Sequence, residues 1–213
     1  MTPALALEAV MTHPRYGELI EQLRALAPTH VVDQVDAATA DALHITTTTG
    51  RHALGVDHVT PTTVEQTPGW LRLGLLDTFT AWLAGKASTC RHAPDPHRPQ
   101  PVIAAAWRPG VITCGQCIHL TALPRGSDRD RTCDACGRVC AGVEHGDGIY
   151  PGMVQFGPLI YHYGTCGDCR SAFTTDTGPT SATESAQQRQ PRGAGRVRPR
   201  GQRGRGRGKG GRR

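Results

Sequence analysis

Eight cysteines dominate the chemistry that this 213-residue sequence can perform. Six of them form three Cys-x-x-Cys pairs, which are Cys114/Cys117, Cys133/Cys136 and Cys166/Cys169. Cys90 and Cys140 stand apart from these pairs. Two intervening residues let one tight turn aim both sulfurs at the same ion, and zinc takes four such ligands in a tetrahedron. The residue types and their spacing therefore predict zinc binding by cysteine thiolates.

The first two pairs have the spacing of a single four-cysteine zinc site. Fifteen residues separate Cys117 from Cys133, as in a site built from two knuckles. From Val111 to Gly142 the sequence resembles the zinc-ribbon family, on these four cysteines and Gly137, although Ile118 stands where ribbons often have glycine. The resemblance implies two β-hairpin knuckles that share one zinc. It implies a fold and not a task, because zinc ribbons serve in transcription, in translation and as enzyme accessories.

The other four cysteines predict a second metal site whose ligands the sequence leaves open. The simplest set is Cys90, Cys140, Cys166 and Cys169. Either His92 or His97 can take the place of Cys140 in that set. The pairs can also be exchanged, so that the Cys114 pair joins the Cys166 pair while Cys133, Cys136 and Cys140 join Cys90. One zinc site is expected and two are possible.

Three other uses of the cysteines compete with structural zinc. The same thiolates can hold an iron–sulfur cluster. A redox dithiol needs a Cys-x-x-Cys pair at a helix N-terminus, whereas "VITCGQCIHL" is typical of strand, turn and strand. A catalytic zinc needs an open position, which three ligands such as Cys90, Cys166 and Cys169 would leave beside His92 and Glu144. The chain contains no H-x-E or H-E-x-x-H motif, so we predict that it is not an enzyme.

The elements that must position these ligands predict an α+β protein in three regions. Residues 1–87 form a helical region, residues 88–175 a cysteine-rich, zinc-ribbon-like β module, and residues 176–213 a disordered basic tail. Helices are predicted over 3–11, 16–26, 30–43 and 69–84, the last with an apolar stripe from Leu71 to Leu83. Strands are predicted over 101–107, 110–113 and 157–164.

The tail carries a charge opposite to that of the preceding residues. Residues 177–213 hold eleven Lys or Arg and one acid, while residues 1–176 hold 13 basic and 17 acidic residues. A segment this poor in apolar side chains is predicted to be disordered. Arginine contacts phosphate and stacks on exposed bases, so nucleic acid is the expected partner. Its candidate contacts are Arg192, Arg196, Arg198, Arg200, Arg203, Arg205, Arg207, Lys209, Arg212 and Arg213.

These patterns predict a zinc-binding protein that is not an enzyme and that engages RNA or DNA through its tail with little sequence preference. The first alternative is an adaptor whose ribbon-like module binds a partner protein, and the second is a zinc- or thiol-dependent enzyme. Its N-terminal residues lack the basic start and long apolar run of a secretory signal, which predicts a reducing cytoplasm without persistent disulfides. The apolar stretch Gly69–Gly85 is too short to span a bilayer, so no membrane association is expected.

Overall fold

The computed structural model describes residues 1–55 and 60–174, which fall within a compact unit, Met1–Asp176. The predicted basic tail, with its ten candidate nucleic-acid contacts, lies outside the described residues. The predicted α+β class is confirmed, because N-terminal helices precede a five-stranded mixed sheet.

Four helices precede the sheet: α1 (Pro3–Met11), α2 (Tyr16–Leu26), α3 (Thr29–Thr49) and α4 (Gly69–Leu83). The predicted end of the third helix at residue 43 is wrong, because α3 continues to Thr49 and runs into a π-helical turn, Gly50–Leu54. Along α3, Ala38, Ala42 and Thr46 form a buried face at four-residue spacing. Ala42 packs against two sheet residues, Ile103 and Ile160. Packing on the sheet thus overrides the low helix propensity of the threonine run.

The sheet contains β1 (Ser88–Thr89), β2 (Val102–Ala105), β3 (Val111–Cys114), β4 (Ile149–Phe156) and β5 (Leu159–Cys166), in the order β1-β3-β2-β5-β4. The β1–β3 and β2–β5 pairs are parallel, and the β2–β3 and β4–β5 pairs are antiparallel. The three predicted strands correspond to β2, β3 and β5 with shifted ends. A short helix, α5 (Gly167–Thr174), follows β5 directly.

No strand was predicted over β4, where the dipeptide Pro151-Gly152 is typical of a turn. Pro151 is tolerated because β4 lies at the edge of the sheet, where a missing N–H leaves no partner strand unsatisfied. Gly152 is required by its neighbour, since a Cβ at this position would come within 2.5 Å of the Tyr163 ring. The signals that suggested a turn therefore mark an edge strand in close contact with an aromatic side chain.

The largest apolar cluster joins α4 to the sheet. Leu71, Leu75 and Trp82 from the helix are buried with sheet residues that include Val102 and Leu159. The predicted stripe of α4 is thus mostly buried, although Leu83 at its end is 51% exposed. The division of the chain at residue 87 stays a prediction, and residues from both sides of it bury apolar surface together.

Within residues 1–55 and 60–174, no helix combines the length and the apolar character that crossing a membrane requires.

Candidate metal centres

The first group of residues that could hold a metal ion, the mixed group, consists of Cys90, His92, Cys114 and Cys117. Cys114 ends β3, and Cys117 lies in the 3₁₀ helix that follows, Gly115–Thr121. Cys90 and His92 come directly after β1, whose parallel pairing sets Thr89 against Ile112 and so carries the chain toward Cys114. Each residue offers one ligand atom, and the four atoms all lie within 4.8 Å of one another.

Two contacts outside the mixed group fix its supporting segments. The indole Nε1 of Trp82 donates a hydrogen bond of 2.9 Å to the carbonyl of Pro94, in the loop that carries Cys90 and His92. The indole Nε1 of Trp107 donates to the carbonyl of Thr121, at the end of the 3₁₀ helix that carries Cys117. Hydrogen bonds that do not depend on a metal therefore help to position both sides of the group.

The second group, the all-cysteine group, consists of Cys133, Cys136, Cys166 and Cys169, again within 4.8 Å of one another. Cys166 ends β5 and Cys169 lies in the first turn of α5. Cys133 and Cys136 lie in the long segment between the Gly115–Thr121 helix and β4. The backbone N–H of Cys166 donates to the Cys133 sulfur at 3.3 Å, so the two halves of the group also contact each other directly.

The spacing of the ligand atoms fits a tetrahedral zinc ion in both groups. A Zn–S bond of about 2.3 Å places tetrahedral sulfurs about 3.8 Å apart. The Cys90 and Cys114 sulfurs are 3.9 Å apart, as are those of Cys136 and Cys166. In the mixed group, Nδ1 of His92 lies 3.2 Å from the Cys117 sulfur and 3.4 Å from that of Cys114, so Nδ1 is the ring nitrogen that could bind a metal there. All eight cysteines are free thiols.

Each group contains one thiol that ionises readily. Burial opposes ionisation of Cys90, but hydrogen bonds from the backbone of Cys114 and His92 outweigh it and lower the pKa of the Cys90 thiol to about 7. In the same way, burial of Cys133 is outweighed by hydrogen bonds from the backbone of Cys166, Cys136 and Ala135, which lower its pKa to about 7. Backbone N–H groups aimed at sulfur stabilise a thiolate, which is the form that binds metal.

Ionisation of all the thiols in either group requires a nearby cation. Burial, with the neighbouring sulfurs of Cys114 and Cys90, raises the pKa of Cys117 to about 11. Burial and the other sulfurs of the all-cysteine group raise the pKa of Cys169 to about 12. Several thiolates cannot share so small a space unless a positive ion lies between them. Both groups can therefore hold a metal ion, and such an ion would remove the obstacle to full ionisation.

The structure does not group the cysteines as the ribbon spacing predicted. The Cys114 pair and the Cys133 pair belong to different groups, and the Cys114 pair joins Cys90 and His92 instead. The segment after Cys114 is a 3₁₀ helix, so the predicted second strand of that knuckle is also absent from this described segment. The exchange that joins the Cys114 pair to the Cys166 pair is not observed either.

Cys140 and His97 lie outside both groups. Cys140 is buried in contact with Cys133 and Cys166, but its sulfur is not among the four that converge. His92, the alternative to Cys140, is a member of a group, although that group also contains the Cys114 pair. The side chain of Glu144, considered as a base for a catalytic zinc, is 72% exposed and pairs with His145.

Sequence reasoning missed the partners of each Cys-x-x-Cys pair rather than the pairs themselves. The residues of the mixed group are brought together by a two-residue strand, Ser88–Thr89. A strand this short shows no hydrophobic pattern in the sequence. The chain matches no protein-family model, no curated protein and no solved structure in the comparisons made.

Proposed function

We propose that the protein binds two zinc ions as structural centres and engages nucleic acid through its basic tail. The observation that supports the metal sites is the convergence of four ligand atoms within 4.8 Å at each of two separate places. Thiolate and imidazole are the ligands that zinc prefers. Iron–sulfur clusters are most often held by cysteines alone, so His92 in the first group favours zinc there. Zinc is therefore the metal that fits both donor sets.

Four protein ligands at each site favour a structural role over catalysis. A catalytic zinc keeps one position open for water or substrate, whereas a closed site does not. Closed sites contribute to folding instead, and this chain needs such a contribution around residues 122–148. The only apolar partners of the buried sulfurs there are Ala135, Ile149 and Cys169, as far as the described residues extend.

The metal content of protein purified under reducing conditions tests the zinc sites. Native mass spectrometry is expected to find two zinc ions per chain. Cys117→Ser and Cys169→Ser are each expected to lose one ion and keep the other, because they belong to different groups. A chain without zinc or iron contradicts the proposal, and the simultaneous loss of both ions in one variant contradicts two independent sites.

The tail supports the nucleic-acid part of the proposal through its composition. Residues 177–213 have a net charge of +10, against −4 for residues 1–176. Arginine alternates with glycine from Arg203 to Arg207, so bidentate phosphate donors lie on a backbone of low steric demand. Neutralising several phosphates releases counterions, which gives binding a steep salt dependence and little sequence preference.

Comparison of the full chain with a chain ending at Asp176 tests the tail. Binding to single-stranded RNA and to duplex DNA is measured across a salt series, with equal zinc content as the control. The full chain is expected to bind with a steep salt slope, and the shortened chain at least about tenfold more weakly. Equal binding by both chains contradicts a role for the tail and assigns recognition to residues 1–176.

A second candidate function, a protein-interaction adaptor, is favoured by the surface of α2. No residue of α2 is buried, and Leu19, Leu23 and Leu26 are 40%, 53% and 84% exposed. Their spacing places them along one side of the helix. If this surface binds a partner protein, Leu23→Glu abolishes that binding while Leu83→Glu, at a similarly exposed leucine of α4, does not.

A further inference from the structure

A cavity of about 280 Å³ lies outside both metal groups, where β4 and β5 meet the segment that precedes β4. The side chains that matter for its chemistry are Trp107, Tyr163, Asp134 and Arg129, and Leu123 adds an apolar wall. Ligand sites usually measure about 300–1,000 Å³, so this cavity is at the small end and suits one planar ring system.

Both aromatic side chains at the cavity are held in place by contacts outside it. Trp107 is only partly buried and belongs to none of the apolar clusters of the described residues. Its Nε1 donates a 2.7 Å hydrogen bond to the Thr121 carbonyl, which fixes the plane of the indole. Tyr163 packs edge-on against Trp70, with ring centroids 5.7 Å apart. The cavity thus offers two aromatic surfaces whose orientation needs no ligand.

The polar end of the cavity combines an acceptor with a donor. The side chain of Asp134 is only 4% exposed. One carboxylate oxygen accepts from the Gly164 N–H at 2.7 Å, and the other accepts from the Arg129 guanidinium at 3.2 Å. A carboxylate has about four acceptor positions and a guanidinium about five donors, so both groups keep capacity for a ligand. A ligand edge with N–H donors beside a carbonyl oxygen would use both.

This combination excludes simpler ligands. Asp130 also lines the cavity, but its carboxylate already accepts from the Gly126 N–H. A small cation at Asp134 would lie beside the Arg129 guanidinium. A purely apolar molecule would cover Asp134 without using its open acceptor positions, which costs free energy. Aromatic walls with an acceptor and a donor at one end fit a nucleobase, and guanine carries adjacent N–H donors next to a carbonyl.

We propose that this cavity binds one unpaired guanine base of single-stranded nucleic acid, stacked between Trp107 and Tyr163 with its Watson–Crick edge toward Asp134. The inference rests on the nucleic-acid part of the proposed function. The adjacent loop, Leu123–Arg131, supports it with Arg125, which is exposed and has no ion pair among the described residues. Arg125 is therefore available for a phosphate of the strand that delivers the base. The tail supplies affinity without sequence preference, and the cavity supplies the preference.

Fluorescence anisotropy with the full-length, zinc-loaded chain tests this inference. The probes are single strands of about ten nucleotides that carry either one central guanine or one abasic position among thymines. Salt of about 0.3 M weakens the contribution of the tail. The guanine strand is expected to bind about tenfold more tightly than the abasic strand, which is the usual size of a stacking contribution.

Two variants and one control assign the difference to the cavity. Trp107→Leu is expected to abolish the preference for guanine, and Asp134→Asn to lower it because the amide replaces an acceptor with a donor. The control is Tyr150→Leu, which removes another partly exposed ring, one that packs beside Arg170. It is expected to bind both strands like the unmodified chain. Zinc content and thermal unfolding are measured for all three, so that a misfolded variant is recognised.

The outcomes separate this inference from the proposed function. Equal binding of the guanine and abasic strands, with binding still dependent on the tail, overturns the inference and leaves the proposed function standing. Absence of binding to either strand at any salt concentration overturns both. Guanosine 5′-monophosphate is the probe for a free nucleotide. If it displaces the guanine strand when present at the same concentration as that strand, the cavity binds free nucleotides and the assignment to single-stranded nucleic acid is overturned. A retained guanine preference in Trp107→Leu also overturns the inference.

Discussion

The two metal groups differ in how much other structure supports their ligands. In the mixed group, Cys114 belongs to a sheet strand, and hydrogen bonds from Trp82 and Trp107 fix the neighbouring segments. In the all-cysteine group, Cys133 and Cys136 lie in residues 122–148, which contain two three-residue 3₁₀ helices and two isolated β-bridges. The metal-independent support of this group includes Cys166 at the end of β5 and the hydrogen bonds between Asp134 and Gly164. We expect a metal ion there to contribute more of the local order than an ion in the mixed group.

Apart from the pair of Arg129 with Asp134, whose carboxylate is 4% exposed, the ion pairs of residues 122–148 cannot take over this task. Arg138 pairs with Asp147 and Asp168, and Arg131 with Asp128, at side chains that are all at least one-third exposed. Such pairs contribute roughly 0–1 kcal/mol each, because water screens the charges and the long side chains lose freedom. Two sites of similar geometry therefore need not contribute equally to the free energy of unfolding. The contribution of a metal depends on what else holds its ligands.

Removal of one ligand from each group is expected to give the largest effect and to test this asymmetry. Cys136→Ser is expected to lower the unfolding temperature by about 10 °C or more, because loss of a tightly bound ion removes about 4 kcal/mol. His92→Ala is expected to cost less than half of that. Cys136 and His92 are both exposed, which keeps the packing lost with the side chain small in both variants.

Calorimetry of both variants, together with their zinc content, measures this difference. His92→Cys is the matched control, since it keeps four ligands and is expected to keep two zinc ions and the original unfolding temperature. Equal losses of stability in Cys136→Ser and His92→Ala, each with one zinc remaining, would show that the supporting contacts around the mixed group contribute little.

Limited proteolysis in the presence of a zinc chelator tests the same difference between the two metal groups. Residues 122–148 are expected to become accessible first, so trypsin should cut after Arg125, Arg129 or Arg131 before it cuts after Arg91. The reason is that the all-cysteine group is their main anchor, whereas Trp82 still holds the loop that contains Arg91. Mass spectrometry of the first fragments identifies the site. First cleavage near Arg91 would reverse the ranking of the two regions.

The Cys-x-x-Cys pairs that converge in the two groups were recognisable from sequence, but their grouping was not, and Cys140, predicted as a ligand, lies outside both groups. A Cys-x-x-Cys pair is a local feature, and all three pairs belong to the metal groups as expected. The partners of each pair depend on strand order. Parallel pairing of β1 with β3 brings Cys90 to Cys114, and the β5–α5 junction brings the Cys166 pair to the Cys133 pair. Neither relation leaves a periodic signal in the sequence.

The fold shows the same division between local and non-local information. The helix α4 was predicted from its apolar stripe, since that stripe packs on the sheet. The ends of α3 and the existence of β4 were missed, because both depend on distant partners. Thr46 is buried on the same face of α3 as Ala42, which packs on the sheet. At position 152 a side chain would collide with the ring of Tyr163, so glycine is required there. Propensity rules describe such residues correctly as weak helix or strand formers and cannot include the partner that overrides them.

The pH dependence of zinc affinity is expected to differ between the groups by one proton. Ligands bind zinc in their deprotonated forms, and the all-cysteine group has one more thiol to deprotonate than the mixed group. One thiol in each group, Cys90 and Cys133, has its pKa lowered to about 7 by backbone hydrogen bonds, with burial opposing. The all-cysteine group is therefore expected to release one more thiol proton on binding zinc than the mixed group.

Competition with a chromophoric chelator measures this difference on two variants that each keep one site. His92→Ala retains the all-cysteine group and Cys136→Ser retains the mixed group. As the pH falls by one unit, the affinity of the all-cysteine group is expected to fall about tenfold more than that of the mixed group. Identical slopes would mean that the two sites bind zinc through the same number of thiolates.

The smallest effect is expected at Cys140, the cysteine that distinguishes the observed grouping from the predicted one. It touches Cys133 and Cys166 but lies outside the converging four. Burial, with the nearby Asp147 carboxylate, raises the pKa of Cys140, so its thiol stays protonated and is a poor ligand. Cys140→Ser is expected to keep both zinc ions and to lower the unfolding temperature by about 2–4 °C, because a hydroxyl replaces a thiol in an apolar site. Cys140→Ala introduces no hydroxyl, so its unfolding temperature shows how much of the loss in Cys140→Ser comes from burying that group rather than from losing a metal ligand. Loss of one zinc in both variants would make Cys140 a ligand and contradict the grouping on which the comparison of the two sites depends.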